Sequence, residues 1–580
     1  MSATTDTSSE MPGGRFAARH RFQTRYIYIG LLIAFLAFIT LFPLGMLVYG
    51  SFHTGSPSSP ESVVSLDGYR AVFSAGNLEI LWNTLYIAGV KSVFSLLIAA
   101  FLAWIVARTD TPMRGLLEVL ITLPFFIPPI LTAMAWSLLG NAQTGPINML
   151  WRSLTGSSEP LIDVYSTGGV IWHMMQYAIP FMFLFLVESF RRMDPSLEEA
   201  SRMCGASRMR TLRGITLRLM IPVMATVFTL SFIRGMESFE SPLFFGTPAG
   251  VRVVATEIYN AINQDFTPNY QFATAIAIVV MGLMLLLLLA QRAIIGGRNY
   301  QTVSGKGYRP GVMALGRWRW ATFAFCLLFF FLSVVLPVGQ LFIGSFYKYI
   351  GFYDTKFLTL EHYRNVFENR AMWDSVLNTM ILGLGGATLT MLLGSMVAYI
   401  SIRTRWHGRR LIDFMAWLPW LMPGIVLGVG FLWAFAYLPG PITIYGTLWA
   451  LLLAYIAICM PLGVNAMSTA FVQLSVDLEE CSRVHGASFL QTMSRILIAL
   501  AWPSFAIGWL LCFFVVMREL SASVLLYSVG NEVMSVEMLK LWENGRAEEV
   551  CVLSMFMILL VVAFRGIQIF VTARRTKLTQ

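Results

Sequence analysis

Charge is scarce in this sequence. Asp, Glu, Lys and Arg together make up 12% of it, about half the share found in a soluble domain. A chain of 580 residues that is 57% hydrophobic has too little polar surface to fold as a string of soluble domains, despite its length. Cysteine is scarce as well. Cys204, Cys326, Cys459, Cys481, Cys512 and Cys551 show no Cys-x-x-Cys spacing. They suggest neither a disulfide framework nor a zinc site and read as small buried hydrophobes. His53, His173, His362 and His485 are scattered without ligand spacing, so no metal site is expected. Three chemical signatures are also missing: Gly-x-x-x-x-Gly-Lys-[Ser/Thr], His-Glu-x-x-His and Gly-x-Ser-x-Gly. The nearest string, Ser304-Gly-Lys-Gly307, lacks the upstream glycine and the hydroxyl of a phosphate loop. The chain is therefore not expected to hydrolyse ATP by that machinery, nor to be a membrane enzyme of the familiar classes.

Long apolar runs, by contrast, are abundant. Twelve lie near residues 27–49, 84–107, 116–139, 168–190, 219–236, 271–293, 320–342, 379–402, 411–435, 447–470, 499–518 and 551–572. Each is of the order needed to cross a hydrocarbon core about 30 Å thick. The expected fold is an all-α polytopic membrane protein with about twelve transmembrane helices. The first run is too long for a signal-peptide core and no small-residue cleavage site follows, so it reads as a helix that stays.

Arginine marks every second loop. Arg15, Arg19, Arg21 and Arg25 precede the first run. Arg108 and Arg114 follow the second, and Arg191, Arg192, Arg202, Arg208, Arg210, Arg213 and Arg218 follow the fourth. Arg292, Arg298, Lys306, Arg309, Arg317 and Arg319 join the sixth run to the seventh, and Arg574, Arg575 and Lys577 end the chain. By the positive-inside rule these loops and both termini are cytoplasmic. The net charge of +10 is accounted for by this pattern. With no basic stripe interleaved with aromatics, no nucleic-acid partner is expected.

The sequence repeats itself. LEEASRMCGASRMRTLRGITL (197–217) and LEECSRVHGASFLQTMSRILI (478–498) share ten of 21 positions. FPLGMLVYGSF (42–52) answers LPVGQLFIGSF (336–346), and LPFFIP (123–128) answers LPWLMP (418–423). The offset is 294 to 295 residues through the third run and 281 to 282 afterwards. The first half thus carries about 14 extra residues, in the external loop GNAQTGPINMLWRSLTGSSEP (140–160). The expected organisation is an N-terminal tail 1–26, a first half 27–295, a linker 296–319, a second half 320–573 and a tail 574–580. The two homologous six-helix halves are expected to run parallel to each other.

Each long repeat opens with a helix-start signal. Ser196 and Glu199 have capping-box spacing, reinforced by Asp194 and Pro195, and Asp477 and Glu480 stand at the same interval. Gly205 and Gly486 follow six residues after the glutamates and suit a C-cap with positive φ. The expectation is a short helix, a sharp turn, and a second helix leading into the next span. Such a knob can dock into a groove on a soluble partner. Two equivalent knobs imply a partner with two equivalent grooves, hence a symmetric dimer.

These residues resemble the cytoplasmic loop of binding-protein-dependent ABC importer permeases of type I, whose pattern is Glu-Ala-Ala, three residues, Gly, nine residues, then Ile-x-Leu-Pro. Glu199, Ala200, Ser201, Gly205, Ile215 and Leu217 match in the first copy. Glu480, Gly486 and Ile496 match in the second, with Cys481, Ser482 and Ile498 as small or apolar substitutes. Arg218 and Ala499 stand where the family has its final proline, and Pro222 and Pro503 lie 17 residues after each glycine. The resemblance implies a permease with both halves fused. A homodimeric ABC ATPase subunit, carrying ATP and Mg, would dock on Glu198, Glu199, Ala200, Ser201, Gly205 and Ala206 and on Glu479, Glu480, Cys481, Ser482, Gly486 and Ala487. It also implies a periplasmic solute-binding protein, a lipid bilayer of the bacterial inner membrane as surroundings, and no cofactor on this chain. The stretches 236–262 and 518–545 resemble the ferric-iron branch, with phosphonate, thiamine and polyamine permeases as alternatives.

Arg234, Glu237 and Glu240 end the fifth run, and Arg518 and Glu519 end the eleventh. Ionisable groups at such depth are paired or face water, so these five are candidates for a pathway lining or gate, with a structural ion pair as the alternative. Lys91 and Glu188 are expected to snorkel or cap. Asp67, Glu79, Glu257 and Asp265 read as solvated loop charges. Pro124, Pro128, Pro129, Pro419 and Pro423 are expected to kink the third and ninth runs. A secondary transporter built of two six-helix halves is the rival reading; it has no reason to duplicate docking helices.

Overall fold

The computed structural model describes residues 27–57, 59, 61–194, 196–264, 266–295, 312–438 and 443–578. The arginines of the N-terminal tail, linker residues 296–311 with Arg298, Lys306 and Arg309, Pro195 and Asp265 lie outside the described residues.

Among the described residues the protein is helical, with only isolated β-bridges. Nine helices among the described residues are long and apolar enough to cross a membrane, and three bent pairs, each taken as one span, bring the number to twelve. The spans are Ile27–Ser51, Ala75–Arg108, Arg114–Leu139, Thr167–Arg192, Met209–Met236 and Tyr270–Ala293 in the first half. In the second they are Trp318–Gly344, Arg370–Arg403, Arg409–Ala436, Leu448–Gln473, Met493–Met517 and Ala547–Phe564.

The repetition extends to local irregularities. The first span contains a π turn at Ala37–Leu41 and the seventh one at Phe331–Val335. Pro43 and Pro337 follow these turns. A proline lacks the N–H for the i−4 carbonyl and crowds it, and a widened turn relieves both faults. The expected kinks in the third and ninth spans are full breaks. Arg114–Phe126 meets Pro129–Leu139 at 93°, and Arg409–Leu421 meets Gly424–Ala436 at 114°. Pro128 and Pro423 force the residues before them out of the helical region: Ile127 has ψ 127° and Met422 ψ 108°.

The halves exchange their first spans. Phe42–Ser51 packs on Gly424–Ala436 of the ninth span, and Leu336–Gly344 packs on Pro129–Leu139 of the third. Small residues allow the close approach: a Cβ on Gly50 would stand 2.6 Å from Cε2 of Trp433, and one on Gly430 would stand 3.0 Å from the carbonyl oxygen of Pro43. The extra residues of the first half form an amphipathic helix, Pro146–Thr155. Its buried Asn148 donates to the carbonyls of Asn141 and Ile162 at 2.9 and 2.7 Å.

Three expectations are corrected. Lys91 does not snorkel. Its side chain is buried, and Nζ donates to the Ser231 carbonyl at 2.7 Å and to Ser231 Oγ at 2.9 Å, tying the second span to the fifth. Glu257 is not a solvated loop charge but a buried residue on the helix Val254–Asn263, paired with Arg252. Cys204 and Cys481 are exposed, whereas the other four cysteines are buried. Both exposed thiols fall in the polar repeated segment, where no apolar core exists to cover them.

Candidate functional sites: the repeated helices and the charged seam

The repeated segments fold as short helices, Ser196–Met203 and Asp477–Val484. The first amides are met by residues just upstream: Asp194 Oδ1 accepts from the Ser196 N–H at 2.9 Å, and Ser475 Oγ accepts from the Asp477 N–H at 3.2 Å. Gly205 and Gly486 end the helices with φ of +81° and +76°. The following amides turn back, Ala206 to the Ser201 carbonyl and Ala487 to the Ser482 carbonyl, both at 3.1 Å. This is a glycine-ended cap, which gives the Ser201 and Ser482 carbonyls their partners.

Each short helix is fastened on its inner side by the same two devices. A hydroxyl pair binds it to the next helix: Ser201 to Thr211 at 3.0 Å and Ser482 to Thr492 at 2.8 Å. An ion pair binds it to the end of the second or eighth span: Arg108 to Glu198 at 2.5 Å and Arg403 to Glu479 at 3.5 Å. Each carboxylate takes one further hydroxyl, but from a different element. Thr216 Oγ1 donates to Glu198 at 2.7 Å, and Tyr399 OH donates to Glu479 at 3.0 Å.

Glu198 and Glu479 are thus turned inward, while Glu199 and Glu480 point outward with Ala200 and Cys481 beside them. Ser201 and Ser482 lie on the fastened side, and Ala206 and Ala487 sit half-buried in the turns. The outer tips are apolar and nearly bare: Met203 is 89% exposed and Val484 is 85% exposed. Leu197 and Leu478 stand equally paired, six residues back and exposed.

The second site lies where the halves meet. Arg234 Nη1 donates to Glu237 Oε1 at 2.6 Å, and its guanidinium lies 5.8 Å from the Trp420 ring of the opposite half. Arg518 Nη1 donates to the Phe125 carbonyl at 3.0 Å, with the guanidinium 5.2 Å from the Phe125 ring. Phe125 and Trp420 occupy the 3₁₀ turns Leu123–Phe126 and Leu418–Leu421, at the breaks of the third and ninth spans. Glu519 Oε1 caps the Ala522 N–H at 2.9 Å. The charges of Arg234, Glu240 and Glu519 all act on Arg518, so the five candidate residues form one group. Around it hydroxyls pair off: Tyr177 with Ser238 at 2.9 Å, His173 Nδ1 with Ser241 at 2.7 Å and Tyr455 with Ser523 at 2.7 Å. Outside the spans, burial and the neighbouring Glu543 carboxylate push the Tyr259 hydroxyl up to about 12.

The signature of the family described as the binding-protein-dependent transport system inner membrane component matches residues 93–298. The ferric transport system permease protein FbpB of Actinobacillus pleuropneumoniae is 28% identical over 89% of this chain and 73% of its own length. The Fe(3+)-transport system permease protein FbpB 2 of Haemophilus influenzae is 22% identical over 85% of this chain and 89% of its own. The chain is similar along most of its length to permeases of the binding-protein-dependent importers. A spermidine/putrescine transport system permease protein, PotB of Haemophilus influenzae, matches 45% of this chain but 91% of itself, at 24% identity. One such relative therefore corresponds to about half of this chain, in keeping with its internal duplication. The permease is a multi-pass inner-membrane protein.

Sequence reasoning brought the right residues to each site but missed partners. Arg108 passed as a loop charge and Arg403 went unremarked, although their place at equivalent span ends was a usable signal. Trp420 and Phe125 carried no signal, because an aromatic ring in an apolar run is indistinguishable from core. Lys91 belongs near the seam too: a Cβ on Gly235, next to Arg234, would stand 3.2 Å from Lys91 Nζ.

Proposed function

We propose that this permease is the complete translocation unit of an ATP-driven importer for ferric iron, with two homologous halves, 27–295 and 320–573, fused through the linker 296–319. The single observation that carries this reading is the pair of bare apolar helix tips, Met203 and Val484, at equivalent places in the two halves. Exposed apolar side chains flanked by Glu199 and Glu480 on rigidly fastened helices are what a soluble partner covers. Two copies of the surface suit a homodimeric ATPase subunit, which would carry the ATP and Mg, with one short helix in each ATPase groove. The arginine-rich loops support a cytoplasmic position for both helices and both termini. A periplasmic solute-binding protein delivers cargo to the opposite face.

In this reading ATP draws the ATPase dimer together and the short helices follow. The motion passes through the Arg108–Glu198 and Arg403–Glu479 pairs to the ends of the second and eighth spans. The halves then part where Arg234 and Arg518 cross between them, opening the pathway outward, and hydrolysis resets it. The ferric assignment is supported by relatives named for ferric transport along most of the chain.

The test is charge reversal at both outward glutamates, Glu199→Arg with Glu480→Arg, in vesicles holding the ATPase and the binding protein. Uptake of radiolabelled ferric iron should fall to background while the permease remains folded. Uptake at the unmutated rate, or uptake by permease alone on an ion gradient, overturns the reading. Uptake that excess unlabelled spermidine suppresses but excess unlabelled ferric iron does not overturns the cargo alone.

A further inference from the structure

We infer that the end of the linker between the halves forms part of the first ATPase-docking surface, and that this part has no counterpart in the second. The inference rests on the docking role proposed above. Residues Val312 to Leu315 run beside the loop that follows the second span. The Met313 N–H donates to the Arg108 carbonyl at 2.8 Å, and the Asp110 N–H donates to the Met313 carbonyl at 3.1 Å. The Leu315 N–H donates to Asp110 Oδ1 at 2.8 Å. The chain then enters the seventh span, where Thr322 meets Thr111 at 2.8 Å.

A pocket of about 150 Å³ opens between this segment and the first short helix, lined among others by Arg108, Glu198, Glu199, Arg202, Val312 and Met313. Arg108 has a side chain only 3% exposed. Its Nη2 faces Glu198, but among the described residues its Nη1 has no acceptor. A buried guanidinium N–H without an acceptor is rare in a finished fold and marks a place for an oxygen from outside.

The second copy differs at each point. Arg403 Nη2 donates to the carbonyls of Phe471 and Leu474. Glu479 is 2% exposed. The Thr404 carbonyl accepts from Arg409 Nη1 at 3.0 Å, from its own loop. Arg403 thus has its Nη2 bonded within its own half and its Nε facing Glu479 at 3.5 Å, whereas Arg108 Nη1 has no acceptor among the described residues, and the linker bonds the Arg108 backbone beside it.

The occupant is a residue of the ATPase subunit that presents a neutral acceptor oxygen, from a backbone carbonyl or an amide or hydroxyl side chain. Arg108 and Arg202 are already balanced by Glu198 and Glu199 around the pocket, so a carboxylate has no net positive charge to meet. The same ATPase chain would thus meet two different surfaces, with a contact at the first docking site that the second cannot supply.

The experiment uses the full permease with its ATPase, with Cys204 and Cys481 replaced by serine. Single cysteines at Met203→Cys, Val484→Cys and Val312→Cys are labelled with benzophenone maleimide and irradiated. Cross-linking of all three positions to the ATPase is expected. Cross-linking from Met203→Cys and Val484→Cys but not from Val312→Cys, or from Val312→Cys only within its own chain, overturns this inference and leaves docking intact. No cross-linking anywhere overturns the docking reading and this one with it. In a second measurement Met313→Trp, which fills the pocket and keeps the backbone pairing, should weaken ATPase binding about tenfold while Val484→Cys still cross-links. Unchanged affinity overturns the inference.

Discussion

Arg518, at the end of the eleventh span, donates to the carbonyl of Phe125 in the third, 3.0 Å away across the junction of the halves. The guanidinium also lies over the Phe125 ring. Arg234 makes the reciprocal crossing, over Trp420 of the ninth span. Phe125 and Trp420 are equivalent positions, 295 residues apart. The two arginines are not equivalent: Arg518 aligns with Met236, and Val516 aligns with Arg234. The contact has therefore been built from each side with a different residue, and both versions bridge the same seam.

A bond from a charged donor and a cation–π contact together favour the present arrangement by about 2 kcal/mol. Arg518→Gln removes both, which shifts the balance between closed and parted halves roughly thirtyfold. In reconstituted complexes, ATP hydrolysis in the absence of binding protein should rise and hydrolysis should become less coupled to uptake. Arg518→Lys keeps the charge but not the planar fork and should fall between. Basal hydrolysis unchanged in Arg518→Gln would show that the seam is structural rather than a gate.

The turns after the short helices offer a purer test of backbone geometry. A Cβ on Gly205 or Gly486 would meet nothing within 4 Å, so an alanine there suffers only from the positive φ of +81° or +76°. That strain is about 1 kcal/mol, and it acts on the turn that holds the helix in place. Gly205→Ala and Gly486→Ala should each weaken ATPase binding roughly fivefold, and asparagine at either position should weaken it less. Equal affinities for alanine and glycine variants would show that the helices do not need this turn to dock.

Much of this was legible in the sequence because it rests on local rules. Hydropathy marked all twelve spans, since a lipid-facing helix has few ways to disguise itself, although the second, fifth and eighth begin nine or ten residues before the expected starts. The internal repeat located both short helices and their closing glycines. What stayed hidden depends on distant parts meeting. Glu198 and Glu199 are neighbours with the same chemistry, and only the place of Arg108 shows which turns inward. Lys91 looked like a snorkelling lysine because nothing local revealed Ser231 across the gap. Glu257 looked solvated because its helix, outside the apolar runs, gave no sign that it packs inward. The prolines announced a bend, but the 93° and 114° breaks follow from consecutive residues leaving the helical region together.

The inward carboxylates make a prediction about how two copies diverge without losing function. Trp104 and Tyr399 are equivalent by the 295-residue offset, and Thr216 and Leu497 by the 281-residue offset. Glu198 takes its hydroxyl from Thr216, and Glu479 takes its hydroxyl from Tyr399. Each half has kept one donor and spent the other position on an apolar side chain. Removing a hydroxyl from a buried charged acceptor costs about 1.5–3 kcal/mol, and the Glu479 side chain, 3% exposed against 20% for Glu198, has less water to fall back on. Tyr399→Phe should therefore lower the thermal midpoint of the purified permease more than Thr216→Val does. Trp104→Tyr introduced into Thr216→Val should restore most of the loss, because it places a hydroxyl where the other half already uses one. Trp104→Tyr added to Tyr399→Phe should restore nothing, since the two sites share no partner. Rescue in both backgrounds, or in neither, would mean that the hydroxyls do not act through the two carboxylates.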